Sequence, residues 1–297
     1  MEVAAARGQL FVAGRRLIQS KRRRKLFGDL LAYAVLLLLS VVILIPPLWM
    51  LSTALKADGD VFLYPPKWIP VPPHFENFRR GLTFRPFGRY FLNTTIITSL
   101  AVLGQLISSP LVAYGFARLR SRFRDPLFIL VLSTMMLPSQ VTMIPVFVLF
   151  RLLGWVDTFK PLVVPNYFGS AFFIFLMRQF FMTITPELDD AAKIDGCGYF
   201  GIFTRILLPL AKPALATVAI FSFMWNWNDF MGPLIYLSSE SKLTLTLALS
   251  RFTGQYGQTA WNLLMAVSLV TVTPCVLLYF FAQRYFIQGI VITGVKG

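Results

Sequence analysis

One histidine, two cysteines and 13 acidic residues are spread over 297 positions. Those residue types supply most metal ligands and most acid–base groups of enzymes. His74 alone can neither build a metal site nor complete a Ser/His/Asp triad, and Cys197 and Cys275 give neither a disulfide framework nor a zinc spacing. No G-x-x-x-x-G-K-[ST] phosphate loop occurs. Charge is scarce too, at 14% of residues against about 25% in soluble globular chains. These shortages exclude most soluble enzymes. With no paired acids and no nucleophile–base set at membrane depth, they exclude an embedded enzyme as well. The sequence nominates no catalytic, metal or cofactor-binding residue.

What fills the space is apolar: 56% of residues, with a mean hydropathy of +0.66. Six runs are long enough to cross about 30 Å of hydrocarbon as helices: 30–51, 90–117, 127–150, 162–182, 213–237 and 261–283. Only Arg178 and Asp229 put charges inside them. The runs are continuously apolar instead of alternating, which argues against barrel strands. The expected fold class is therefore an all-α polytopic membrane protein with six transmembrane helices, as one transmembrane domain over 30–297 behind a basic tail over 1–29. The first run is longer than a signal-peptide core and lacks a small-residue cleavage site, so it reads as a retained span.

A net charge of +15 could signal nucleic acid, but its placement points to lipid. With the N-terminus inside, the inner segments hold 18 of the 28 basic residues, four of them in Arg118-Leu119-Arg120-Ser121-Arg122-Phe123-Arg124. That is the bias of a cytoplasmic face, so both termini are expected in the cytoplasm. The tail Lys21-Arg22-Arg23-Arg24-Lys25 reads as an anchor at anionic lipid. No nucleic-acid partner is expected. Every span has a proline within it or at its edge, as in a bundle of kinked helices or one that surrounds a path.

The longest inner loop, 183–212, gathers four of the 13 acids, Glu187, Asp189, Asp190 and Asp195, where the rest of the inner surface is basic. Thr185-Pro186-Glu187 forms a helix start with a hydroxyl cap, and Asp195-Gly196 a stop, leaving a helix too short to span. A second helical run covers 199–207. Small residues (Ala191, Ala192, Gly196, Gly198) would let a partner approach the backbone, and the acids would meet its basic groups. The alternative is a surface helix that only joins two spans.

Asp190-Ala191-Ala192-Lys193-Ile194-Asp195-Gly196, followed after nine residues by Ile206-Leu207-Leu208-Pro209, resembles the EAA motif of bacterial ATP-binding-cassette importer permeases. Asp190 stands where that family usually has Glu. Tyr64-Pro65-Pro66-Lys67-Trp68-Ile69-Pro70 with Glu76-Asn77-Phe78, Trp227-Asn228-Asp229-Phe230 with Pro233-Leu234, and the terminal Val295-Lys296-Gly297 are similar to the maltose-type subgroup, in its smaller six-span permease. The resemblance implies a type I importer permease fold in a bacterial cytoplasmic membrane. It also implies a coupling-helix loop that seats in an ATPase through Glu187, Asp189, Asp190, Ala191, Ala192, Asp195 and Gly196. The implied partners are a second homologous permease, two ATP-binding-cassette ATPases that carry ATP and Mg, and an external solute-binding protein. On this resemblance the chain itself is expected to bind no cofactor. The implied substrate is a sugar or oligosaccharide, moved by alternating access.

Asp229 lies deep in the fifth span among Trp225, Asn226, Trp227 and Asn228. An in-membrane charge costs about 2.5–3.5 kcal/mol on insertion scales, so it should face protein or water. Aromatic faces with amide and carboxylate groups suit a neutral sugar, which nominates Asn226, Trp227, Asn228 and Asp229 as pathway residues. Interhelical bonding and an aromatic belt are the structural alternative. Asn93, Gln105 and Gln140 are weaker candidates. The competing function is a self-sufficient secondary transporter, for which inverted repeats and ion-coupling acids are expected; no clear repeat and one such acid are present.

Overall fold

In a computed structural model, the backbone is described for residues 2–252 and 259–294, and side chains for Lys25, 27–252 and 259–283. The side chains of Lys21–Arg24 and the terminal Val295-Lys296-Gly297 motif lie outside the described residues. Among those described, every regular element is helical. Helix α1 (Glu2–Ala54) carries the basic segment and the first apolar run together. A short 3₁₀ turn and α2 (Glu76–Phe84) lead into α3 (Phe87–Arg118), which contains Pro110.

The third apolar run is broken. Helix α4 (Arg124–Ser133) ends in a 3₁₀ turn, and α5 (Ser139–Leu152) leaves at 99° to it. The joint is Leu137, extended at ψ 118°, before Pro138; proline drives its predecessor out of the helical region. The fourth run consists of α6 (Lys160–Val163), a 3₁₀ turn Val164–Phe168, Gly169 at φ +80°, and α7 (Ala171–Thr183). Then follow α8 (Glu187–Ile194), α9 (Tyr199–Ile202), a π-helical turn Phe203–Leu207 and α10 (Leu208–Leu210). From that run α11 (Lys212–Trp227) turns by 77°. The chain closes with α12 (Met231–Tyr236), α13 (Leu245–Ser250) and α14 (Trp261–Gly294). Four stretches are long and apolar enough to cross a membrane, and six if each bent pair counts as one span.

Helix α3 is the centre, packed against α7, α11, α13 and the turn 164–168. Its far end joins a cluster of Phe87, Tyr90, Trp227, Leu247 and Phe252. Its near end joins Tyr114, Phe181, Ala192, Ile202 and Leu207. Helix α1 packs against α14, yet within its apolar window no residue is buried against the rest of the chain. Its end is also fastened, where just past the last turn the amides of Asn77 and Asn262 donate to the Lys56 carbonyl. There the buried Lys56 ammonium sits 3.9 Å from the Trp49 ring centroid.

On the face away from loop 183–212, Asp157 takes a left-handed conformation at φ +57° and clamps two connections. Its carboxylate accepts the amides of Ser238 and Ser239, the Ser239 hydroxyl and the Lys242 ammonium. These bonds, the Ser239 hydroxyl foremost, hold its carboxyl well below the usual carboxylate range. A lowered pKa in the fold adds stability above the unfolded-state value near 4, and that stability disappears as pH falls below it. Thermal unfolding in detergent should therefore show no contribution from Asp157 to the pH dependence between pH 8 and 5. Below about pH 4 the wild type should lose more stability than Asp157→Asn; parallel curves there would refute the clamp.

Candidate functional site

Loop 183–212 is built around α8. The chain leaves α7 through an extended Ile184, and Pro186 starts the helix without a side-chain cap. The Thr185 hydroxyl expected to cap α8 does not do so; the Thr185 and Pro186 carbonyls take the first amides. At the other end Gly196 sits at φ +82°. Its amide donates to the Lys193 carbonyl and that of Cys197 to Ala192, the left-handed stop that favours glycine.

The seven nominated docking residues separate by helix face. Glu187, Asp190, Ala191, Asp195 and Gly196 are exposed. Asp189 and Ala192 are buried, which corrects the expectation that all seven meet a partner. Ala192 is packed in the core cluster with Phe181 and Leu207. Asp189 pairs with Arg118, Nε to Oδ2 at 3.2 Å, at the end of α3. Asp190 pairs along the helix with Lys193 at 2.8 Å, and that hydrogen bond lowers its carboxyl pKa. Glu187 and Asp195 make no ion pair among the described residues.

Beside these acids the structure exposes apolar side chains that acid counting missed: Ile194 (87% exposed), Phe200 (72%) and Tyr199. The available signal was their position on α8 and α9 outside any buried stripe. The adjoining α3–α4 turn lines a shallow cleft of about 520 Å³ with Arg120, Ser121, Arg122 and Arg124. The loop thus presents one continuous surface of small, apolar and acidic groups next to a basic one.

The four nominated pathway residues do not share one exposed face. Trp227 is buried between Phe91 and Phe223, and its indole N–H donates to the Thr271 carbonyl at 3.1 Å; it holds α11 to α14. Asp229 accepts the Gly232 amide at 3.1 Å, and its own carbonyl accepts the Thr246 hydroxyl. It therefore caps α12, where a side chain at 232 would strike its carboxylate. Asn226 and Asn228 donate back to the Ser222 and Met224 carbonyls. Asn228 is exposed, as is Trp225 one turn earlier, so these two share the open face of α11. Asn93 donates to the Ser241 and Leu243 carbonyls, Gln105 bonds Asn166, and Gln140 is exposed.

A helical, membrane-crossing core that carries a short helix on one face is the architecture of a transporter's membrane part. The chain belongs to the binding-protein-dependent transport system inner membrane component family, whose model matches residues 109–292. It is 33% identical over 283 residues to the probable ABC transporter permease protein YurM of Bacillus subtilis, covering 94% of this chain and 93% of that one. It is 35% identical over 258 residues to the melibiose/raffinose/stachyose import permease protein MelC of the same organism, covering 85% and 91%. Its fold matches a chain of the crystal structure of a bacterial ABC transporter involved in the import of the acidic polysaccharide alginate. That match has a TM-score of 0.79 and 25% identity, over 88% of this chain and 97% of that one. The protein is a multi-pass inner-membrane permease of an ABC importer. ATP hydrolysis in such an importer resides in a separate subunit, and family membership decides against a self-sufficient secondary transporter.

Proposed function

We propose that this permease imports a sugar or oligosaccharide by alternating access, with loop 183–212 seated in an ATPase on the cytoplasmic side. The observation that carries the docking reading is the exposed face of α8, with Glu187, Ala191 and Asp195 open beside Ile194 and Phe200. The partners are two ABC ATPases that hold ATP and Mg, a second homologous permease and an external solute-binding protein. The exposed length of α1 supports the second permease, since it offers that chain a surface to pack on. Both termini lie in the cytoplasm, a placement supported by the arginines between α3 and α4. The sugar substrate is supported by the import of melibiose, raffinose and stachyose named for MelC and of alginate named for the structural relative.

On this reading the open face of α11 lines the path. Trp225, half exposed and tilted over Phe173 at 4.9 Å between centroids, stacks the sugar's C–H face, and Asn228 pairs its hydroxyls. Trp225→Ala should slow uptake of labelled raffinose about fivefold, the equivalent of ~1 kcal/mol of aromatic contact, with insertion unchanged. Uptake at the wild-type rate in that variant would remove α11 from the path. The assignment as a whole is tested by purifying the tagged chain in mild detergent and identifying its companions by mass spectrometry. Recovery of an ABC ATPase and a second multi-span permease is expected. A homo-oligomer that transports without ATP would overturn the proposal.

A further inference from the structure

Among the described residues, one ion pair has both side chains about nine-tenths buried: Arg118 with Asp189, at exposures of 9% and 10%. Every other pair has at least one side chain more than a third exposed. This pair joins segments that the chain does not connect. Asp189 lies in α8, whose loop is covalently continuous with α7 and α11, whereas Arg118 ends α3.

Two further bonds fasten the loop to the same helix face. Arg118 Nη2 donates to the Ile184 carbonyl at 2.7 Å, ahead of α8. One turn back on α3, the Tyr114 hydroxyl donates to the Tyr199 carbonyl at 3.0 Å, beyond α8. The Tyr114 ring also lies 5.2 Å from that of Phe203 in the π-helical turn. Helix α3 therefore grips the loop on both sides of its docking helix.

The covalent routes are softer. Towards α7 the chain passes through extended Ile184. Towards α11 it passes Gly196 in a left-handed turn, the π-helical turn and the 77° bend. Those joints lack an unbroken ladder of intrahelical hydrogen bonds, while a buried ion pair in a low-dielectric surround resists separation. Asp189 Oδ1 accepts no hydrogen bond and Arg118 Nε, 3.2 Å from Oδ2, donates none, so the carboxylate is held by the charge of Arg118.

We propose that α3 is the lever of this importer: Arg118 and Tyr114 make the docking loop and α3 one rigid body, so movement of α8 is delivered to α3 first. The proposal rests on the docking reading above and names the span that receives the movement. Helix α3 has 32 residues, about 48 Å at 1.5 Å per residue. At its far end the Asn93 amide donates to the Ser241 and Leu243 carbonyls, and Thr94 Oγ1 accepts the Leu245 amide. A displacement at Arg118 thus reaches the connection 238–245 on the opposite face along one helix, interrupted only by the single backbone hydrogen bond that Pro110 removes.

The test uses the complete importer in lipid nanodiscs, with Cys197 and Cys275 replaced by alanine and spin labels at Leu111→Cys on α3 and Arg205→Cys in the loop. Distances are read without nucleotide and after trapping with Mg-ATP and vanadate. In the wild-type linkage the distance should stay constant. In Tyr114→Phe/Arg118→Gln it should shift by about 2 Å or more on trapping, on the scale of helix displacements in switching proteins. A shift in the wild type, or an unchanged distance in the double variant, overturns the proposal. If the double variant does not assemble, Arg118→Lys replaces it, since a lysine cannot reach Asp189 and the Ile184 carbonyl in the same fork; constancy there is equally decisive against the lever. Failure of the docking reading is separately visible, because the ATPase would then remain bound to an Ala191→Trp chain.

Discussion

Ala191→Trp should strip the ATPase from the purified permease about a hundredfold, the equivalent of ~3 kcal/mol, while the chain still inserts and stays monodisperse. Ala191 is exposed on α8 between Glu187 and Asp195, so an indole there stands in the partner's space and disturbs nothing within this chain. Its neighbour gives the opposite result. Ala192 is 5% exposed and packed among Phe181, Ile202 and Leu207, and Ala192→Trp has no cavity to enter. Overpacking of that kind costs about 1–3 kcal/mol or more, so folded yield should fall before any binding is measured. The pair of variants separates a docking surface from a folding core one residue apart. Equal ATPase recovery from Ala191→Trp and wild type would remove the docking assignment.

Gly104→Val should cut the yield of monodisperse chain severalfold in mild detergent. A Cβ at Gly104 would sit 2.7 Å from Tyr167 Cδ2 and 3.0 Å from the Asn166 carbonyl carbon, and backbone cannot give way as a side-chain tip does. The turn 164–168 rests on α3 at this point. Gln105 Nε2 donates to Asn166 Oδ1, the Ser108 hydroxyl to the Asn166 carbonyl, and the Ser170 amide to Gln105 Oε1. Separating the two surfaces breaks those bonds where no water replaces them, at several kcal/mol for each polar group left unsatisfied in hydrocarbon. Gly104→Ala introduces the same first carbon and should show the effect in smaller measure. Wild-type yield from Gly104→Val would mean that the contact is not needed.

The helices themselves were legible because hydropathy is a local property: uncharged runs of about 20 residues have few other uses. The start of α8 at Glu187 was legible for a related reason, since Pro186 fixes the first turn wherever it occurs. Breaks inside the runs were not. The one at Gly169 depends on Gly104 and Gln105, more than 60 positions away, and the one after Trp227 on Asp229 turning forward to cap α12. The site shows the same division. Acidity marked the loop, but which acids turn inward was decided by Arg118, 71 residues before Asp189. Trp227 resembled a sugar platform in sequence, yet Phe91 and Thr271 enclose it, and the exposed indole belongs to Trp225.

The right-angled joint between α4 and α5 bears on how the chain is made. Helix α4 with its 3₁₀ turn has 10 and three residues, and α5 has 14, each short of the roughly 20 that cross a bilayer. Neither half is long enough to span alone, so the stretch 124–152 can fill one span only as a bent pair. The bend itself is local, set by extended Leu137 before Pro138. Helix α4 leans on α7, where the Arg178 guanidinium lies 4.1 Å from the Phe128 ring centroid, and α7 does not yet exist when residue 152 leaves the ribosome. A nascent chain halted before residue 171 thus holds the bend through its proline alone, and the packing that fixes α4 in place has to wait for the span that follows.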